Sequence, residues 1–326
     1  MPGQWGADSS EVVTPTGGIF DLVAEYQKQG PPLWGFARMA LSGKVTVLHQ
    51  FSGSEGVPAG GKGQRTLAYG ADGDIYGIGY QQPTGISQLF IFRFTPAGQY
   101  SQLLTIPMSN AGMSHFPLIA ASDGNLYGTF SRGGTVGTGL IYQASLTGQY
   151  KMVAGFPATA MSEPYSLNEG ADGNLYGSTN FNQLFSYNLA TQKLSLVYAM
   201  NAQGTQARCP CPLIEGMDGK LYGYSGIGGP AGVGDVFSLD LGLTPPSPVV
   251  SGLYPASGAV GSKVLLWGNY LLGTQSVTFN GVTATSFQVT SKESVLATVP
   301  TGATSGPITI TTHNGSLTTT QSFTVQ

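Results

Sequence analysis

Apolar and polar positions alternate in short runs along the chain, and the runs return in a fixed frame. The stretch Leu67-Ala-Tyr-Gly-Ala-Asp72-Gly-Asp-Ile-Tyr76-Gly77 recurs as Leu118-Ile-Ala-Ala-Ser-Asp123-Gly-Asn-Leu-Tyr127-Gly128. It recurs again as Leu167-Asn-Glu-Gly-Ala-Asp172-Gly-Asn-Leu-Tyr176-Gly177 and as Leu213-Ile-Glu-Gly-Met-Asp218-Gly-Lys-Leu-Tyr222-Gly223. The aspartates lie 51, 49 and 46 residues apart. A degraded fifth copy stands upstream at Val12–Phe20, where Gly17 replaces the aspartate and Asp21 replaces the tyrosine.

Asp-Gly between two apolar runs predicts a hairpin, because the tight turn needs φ > 0 and glycine supplies it without steric cost. A second hairpin follows in each unit, with an aromatic strand such as Leu89–Phe94 or Leu184–Tyr187 and then a strand such as Lys151–Phe156 or Lys193–Tyr198. Four short strands in about 50 residues is the size of a propeller blade. The repeated tyrosines are expected to pack between neighbouring blades. The last unit offers three strands and then runs into Pro245-Pro246, with no fourth strand evident. Its open edge is a pairing liability. The N-terminal residues, the stretch near Val249 or a neighbouring subunit is expected to cover it.

Beyond the proline-rich linker Leu243–Pro248, period-two alternation continues through runs such as Val264–Gly268, Ser276–Phe279 and Ile308–Thr311, the pattern of a β-sandwich. The chain is therefore expected to be all-β: a β-propeller of about five blades over residues 1–243, then an immunoglobulin-like sandwich over 244–326. Trp267 is expected in the core and His313-Asn314-Gly315 at a hairpin tip.

The Asp-Gly-Asn-Leu-Tyr-Gly core, the later Gly-Gly and Gly-x-Gly turns and the closing aromatic strand resemble the bacterial GloVer tandem repeat over roughly residues 10–243. The hairpin is also similar to those of NHL-type and streptogramin-lyase-type propellers. These resemblances imply a propeller, often on secreted proteins, without fixing an activity. The C-terminal part resembles IPT/TIG domains through Pro255, Gly258, Gly261, Gly268-Asn-Tyr270, Val277-Thr-Phe-Asn-Gly281, Ala297-Thr-Val-Pro300, Gly302-Ala303 and Phe323-Thr-Val325. In that family the domain usually serves as a spacer or docking module on a larger surface protein.

Composition narrows the partners. Charged residues make up only 9% of the chain, against roughly a quarter in ordinary globular proteins. Net charge is −3 and no cluster of four basic residues occurs, which argues against nucleic acid. No apolar run approaches the ~18 residues of a membrane span. The start, Met1–Gly6, lacks the regions of a signal peptide. Either the protein is cytoplasmic or its numbering starts after processing, and few charges, many Thr, Ser and Gly and a surface-type C-terminal domain favour the second, an extracellular or cell-surface protein. No cofactor is implied. Cys209 and Cys211 could form a strained disulfide, a free thiol pair or part of a soft-metal site, but no second Cys or His pair offers the roughly four ligands zinc needs. No metal site is therefore expected.

The candidate site residues cluster around the inner strands. Loops leading into those strands carry Arg65, His115, Glu163, Tyr165 and Arg208, and loops between second and third strands add Tyr80, Arg132 and Asn180. Aligned inner-strand positions add Tyr69, Glu169 and Glu215. Loops attract charge in any soluble fold, so a solvated rim is the plain account and a ligand funnel the sharper one. On the sharper account the propeller binds a glycan or another polar ligand, since rings stack on sugar C–H faces and amides match hydroxyls. Two rivals stand beside it. One is a glycan-active enzyme using Glu169 and Glu215 as a carboxylate pair, or His115 as a base. The other is a structural subunit that self-associates by strand exchange at its open blade, or that docks another surface protein. A metal-dependent lyase fits poorly, because the propeller part holds only His49 and His115.

Overall fold

The computed structural model describes residues 5–7, 12–14, 18–25, 32–40, 43–52, 54–58, 67–81, 88–107, 118–158, 161–200, 212–225 and 233–326. These residues form strands, turns and bends, and none of them forms a helix that could cross a membrane. Seven sheets result among these residues, and five of them, successive in the sequence and consistent with a β-propeller, are numbered below as blades one to five.

Each blade is an antiparallel meander of strands adjacent in sequence. Blade three runs Ile119–Ala120, Leu126–Phe130, Leu140–Ala144 and Tyr150–Gly155, and blade four runs Asn168–Glu169, Asn174–Ser178, Gln183–Asn188 and Lys193–Ala199. In blades one and two the inner strand is broken into two pieces along one edge. These are Trp5–Ala7 with Val12–Val13, and Val57–Pro58 with Leu67–Tyr69. Blade five has only Ile214–Glu215, Leu221–Ser225 and Asp235–Leu239 among the described residues.

The repeated hairpin has one geometry throughout. Gly73 N donates to Gly70 O (3.0 Å) and Gly70 N to Asp74 O (2.8 Å), and the same pair of bonds closes the turns at Ala121–Asn125, Gly170–Asn174 and Gly216–Lys220. Only the glycine of each Asp-Gly has positive φ, between 75° and 90° at Gly73, Gly124, Gly173 and Gly219. The turn is thus a type I turn followed by a left-handed glycine, a three-residue loop.

The aspartate has two tasks. Its Oδ1 accepts the N–H two residues on in all four copies, at 3.0–3.2 Å. Its Oδ2 accepts the tyrosine hydroxyl at 2.6 Å from Tyr76, 2.7 Å from Tyr127 and 2.8 Å from Tyr176. The tyrosine ring meanwhile packs forward: Tyr76 joins Leu118, Leu126 and Tyr142 of blade three, and Tyr127 joins Phe156, Leu167 and Leu175. The motif therefore couples a turn to an inter-blade core. Burial, reinforced by the aspartate, pushes both the Tyr76 and Tyr127 phenols well above their ordinary pKa.

The glycine after each tyrosine has a different purpose. A Cβ on Gly77, Gly128 or Gly177 would lie 2.2–2.4 Å from the ring of Phe92, Tyr142 or Phe185 on the adjacent strand. These rings lie across the bare backbone of their register partners. Blade one swaps the pair. Thr14 N donates to Gly18 O (2.9 Å), which sets Thr14 in the place of Gly70 and moves the sequence alignment by one residue. Phe20 then takes the tyrosine position, packed forward with Phe36, Phe90 and Phe92, and Asp21 takes the glycine position opposite Ala37 instead of an aromatic ring.

The chain divides into two compact units, the second made of Val13–Gly18, Glu215–Leu221 and Leu239–Gln326. Within it, one sheet orders Val249–Tyr254, Lys263–Asn269, Ser294–Thr298 and Ser286–Ser291. The other orders Ser257–Gly258, Gly315–Val325, Gly306–Thr312, Thr274–Phe279 and Val282–Thr283. Both contribute to one core, Leu253, Val264, Leu266, Val295 and Ala297 from the first and Val277, Phe279, Ile308, Ile310 and Phe323 from the second. Trp267 is buried with its ring against Gly252, its register partner. Residues 313–314 form a two-residue hairpin loop between Thr312 and Gly315. Asn314 Nδ2 donates to Pro246 O (3.0 Å) and also to Met217 O, and Tyr270 donates its hydroxyl to Glu215 Oε2 (3.0 Å).

Candidate functional site

Of the polar loops that the sequence singles out, the one leading into blade four meets the loops between second and third strands of blades three and four. The loop leading into blade four passes Glu163 between two neighbours. Glu163 N donates to Thr138 O of blade three (2.7 Å), and Glu163 O accepts Asn180 N of its own blade (2.9 Å). Asn180 Nδ2 then donates to Glu163 Oε2 (3.1 Å). Pro164 bridges to Thr179 and rests on Gly139, where a Cβ would come within 2.3 Å of the proline ring. That close approach requires a glycine, and Gly139 also has φ of 108°.

Beneath this rim the chain is locked by hydroxyls. Tyr165 N donates to Ser178 O (2.7 Å), and the buried Ser166 and Ser178 hydroxyls meet at 2.9 Å. Thr179 Oγ1 accepts the Phe181 and Gln183 amides, both at 3.2 Å, and donates to Gln183 Oε1 (2.6 Å). The loop therefore presents an exposed Phe181 from a fixed base. Burial raises the Tyr165 phenol pKa, with a further push from the Tyr224 phenol. Arg132 of blade three is exposed to solvent.

Glu163 holds φ of 54°, a left-handed conformation that glycine adopts freely and glutamate rarely. Three hydrogen bonds from two loops fix it there. The strain of a non-glycine residue in this region is about 1–2 kcal/mol.

The sequence-predicted residues separate into two groups. Glu163 and Tyr165 lie where the chain enters an inner strand, together with Asn180. Tyr69, Glu169 and Glu215 lie at the other end of their inner strands, beside the Asp-Gly turns. Six residues separate Glu163 from Glu169, a reach of up to about 20 Å when extended. The two glutamates at matching repeat positions are engaged separately. Glu169 accepts the Ser122 amide at 2.9 and 3.1 Å and the Ser122 hydroxyl at 2.5 Å, which ties blade four to the turn of blade three. Glu215 is buried and accepts the Tyr270 hydroxyl. Burial raises the Tyr69 phenol pKa, followed by the charges of Asp72 and Asp74. Arg65, His115, Arg208, Cys209 and Cys211 lie outside the described residues. Among the described residues, no three His, Cys, Asp or Glu side chains converge as a metal site would require.

The sequence reading did not pick out Thr138, Phe181 or Tyr224. Tyr224 carried a signal: it is an aromatic residue where the other repeats have Ile78, Thr129 and Ser178, and it is exposed.

No family model matches the chain, and no curated protein matches it. Solved structures do. A puromycin hydrolase superposes with a TM-score of 0.48 at 15% identity, over 81% of this chain and 42% of that one. A candidate gluconolactonase gives 0.40 at 13% identity, over 91% and 89%. The extracellular domain of a candidate one-component system from B. thetaiotaomicron gives 0.41 at 12%, over 94% of this chain and 39% of that one. These structural neighbours are β-propeller proteins, and at such identities the likeness concerns the fold alone.

Proposed function

We propose that the chain is a non-catalytic binding module of the cell surface or extracellular space, whose propeller engages a glycan or another polar ligand beside Glu163. The C-terminal sandwich is read as an immunoglobulin-like domain of the IPT/TIG kind, acting as spacer or dock. The observation that carries the reading is the left-handed Glu163, held by Thr138 and Asn180. Strain at a site the surrounding structure over-determines is a pointer to function. The carboxylate and the Asn180 amide offer acceptor and donor groups suited to hydroxyls, while Phe181, Tyr165 and Tyr224 bring rings to neighbouring strands and loops. The sparse charge of the chain supports an uncharged polar ligand and an extracellular setting.

The test is retention of the purified protein on a panel of polysaccharides, scored together with newly formed chain ends. Glu163→Gly is the informative variant. It keeps the backbone, relieves the strain and should leave stability unchanged or raised by up to about 1 kcal/mol, while lowering retention at least tenfold. Retention unaffected by Glu163→Gly places the ligand elsewhere, and new chain ends convert the reading to an enzyme.

A further inference from the structure

Blade five keeps the register of blade four. Asp235 N donates to Ser225 Oγ (3.2 Å) as Gln183 N donates to Thr179 Oγ1 (3.2 Å), so Val236 stands in the place of Leu184 and Phe237 in that of Phe185. The surroundings differ. Leu184 is 1% exposed and pairs with Tyr198 of a fourth strand, whereas Val236 is 74% exposed and Val233 80%. Among the described residues blade five is the one sheet of the five with three strands.

Of the segments expected to cover this edge, residues 1–4 and 8–11 lie outside the described residues, and the described ones pair with other strands. Trp5–Ala7 pairs with Val23–Glu25, and Val249–Tyr254 pairs with Leu265–Asn269. Edge strands are usually blunted by lysine, proline or a bulge, and Asp235–Leu239 has neither lysine nor proline. Its one charge is Asp235, whose Oδ1 accepts the Val236 amide at 2.8 Å. That carboxylate occupies an N–H which an incoming strand would otherwise take.

We propose that the outer edge of Asp235–Leu239 pairs with the same strand of a second copy of this chain, antiparallel about Phe237. The strand is self-complementary in this register. Asp235 faces Leu239 of the partner and Val236 faces Ser238, so no like charges stand opposite one another, a juxtaposition that would destabilise the pair. A two-fold axis through Phe237 makes the contact isologous and closed. Two three-stranded blades become one continuous sheet of six, and Val236 gains the cross-strand neighbour that Leu184 has in Tyr198.

The experiment is sedimentation velocity of the full chain over a concentration series, with two variants. The wild type should pass from monomer to dimer as concentration rises. Val236→Lys places a gatekeeper charge on the edge and should weaken the dimer at least tenfold, with the melting temperature unchanged because Val236 is solvent-exposed. Asp235→Ala frees the Val236 amide and should tighten the dimer several-fold. A wild-type chain monomeric at every concentration, or a dimer that Val236→Lys leaves intact, overturns the proposal.

Discussion

Blades four and five are built on one code and end in different surroundings. Their turns share the same bonds, their second strands the same Leu-Tyr-Gly, and their third strands the same amide-to-hydroxyl start. Yet Ser178 is fully buried where Tyr224 is 57% exposed, and Leu184 is fully buried where Val236 is not. Local sequence is enough to make the ladder, because turn and register are set by neighbours in the chain. Burial is conferred by what lies on either side: a fourth strand and a second packed face.

The sharpest way to break that comparison is to truncate the two equivalent side chains. Leu184→Ala should cost about 3 kcal/mol, while Val236→Ala should stay within about 0.5 kcal/mol. Urea denaturation of the two variants decides it, and equal costs would mean that the third strands are equally packed. Next comes the glycine under the ring. A Cβ on Gly177 meets the Phe185 ring and, at 2.1 Å, the Ser166 carbonyl, so Gly177→Ala should cost about 2 kcal/mol. Gly223→Ala should cost less, since Phe237, the counterpart of Phe185, is only partly buried.

The smallest effect concerns the tyrosine staple. Tyr76 and Tyr127 have folded pKa values raised above the ordinary phenol value of about 10, and burial pushes Tyr100 up to about 12. A phenol whose folded pKa exceeds its unfolded one adds stability that is whole below pH ~10 and fades as pH rises through the folded value. Thermal melts should therefore fall on the alkaline side. Tyr127→Phe should cost about 1 kcal/mol at neutral pH by removing the bond to Asp123, and should flatten part of the alkaline decline. A decline that Tyr127→Phe leaves untouched would assign the loss to other groups.

The repeat made most of the propeller legible. Asp-Gly marked the turns of blades two to five, Tyr76 and Tyr127 marked an inter-blade face, and the proline run after the last unit went with a blade of three strands among the described residues. The first unit misled by one residue because Gly17 and Gly18 are interchangeable to the eye, and the Thr14–Gly18 bond resolves the frame. The site was legible only as a set of polar residues. Glu163 and Asn180 were both visible, but a left-handed glutamate has no local signature, since its conformation is imposed by Thr138, 25 residues away in the chain. Likewise the repeat aligned Glu169 with Glu215, while their partners, Ser122 and Tyr270, come from a neighbouring blade and from beyond the linker. Alignment within a repeat gives equivalent backbone positions, and the next layer of structure assigns the work.

The sequence-adjacent pairing within each blade also has a kinetic consequence. Most ladders are closed by a short loop, so the chain-entropy cost of each is small, and neighbouring blades are tied by contacts such as Glu169–Ser122. Opening in such a chain of local ladders starts at the least supported one. In the monomer, amide hydrogens of Asp235–Leu239, from a blade of three described strands, should exchange before those of Gln183–Asn188, which has a strand on each side.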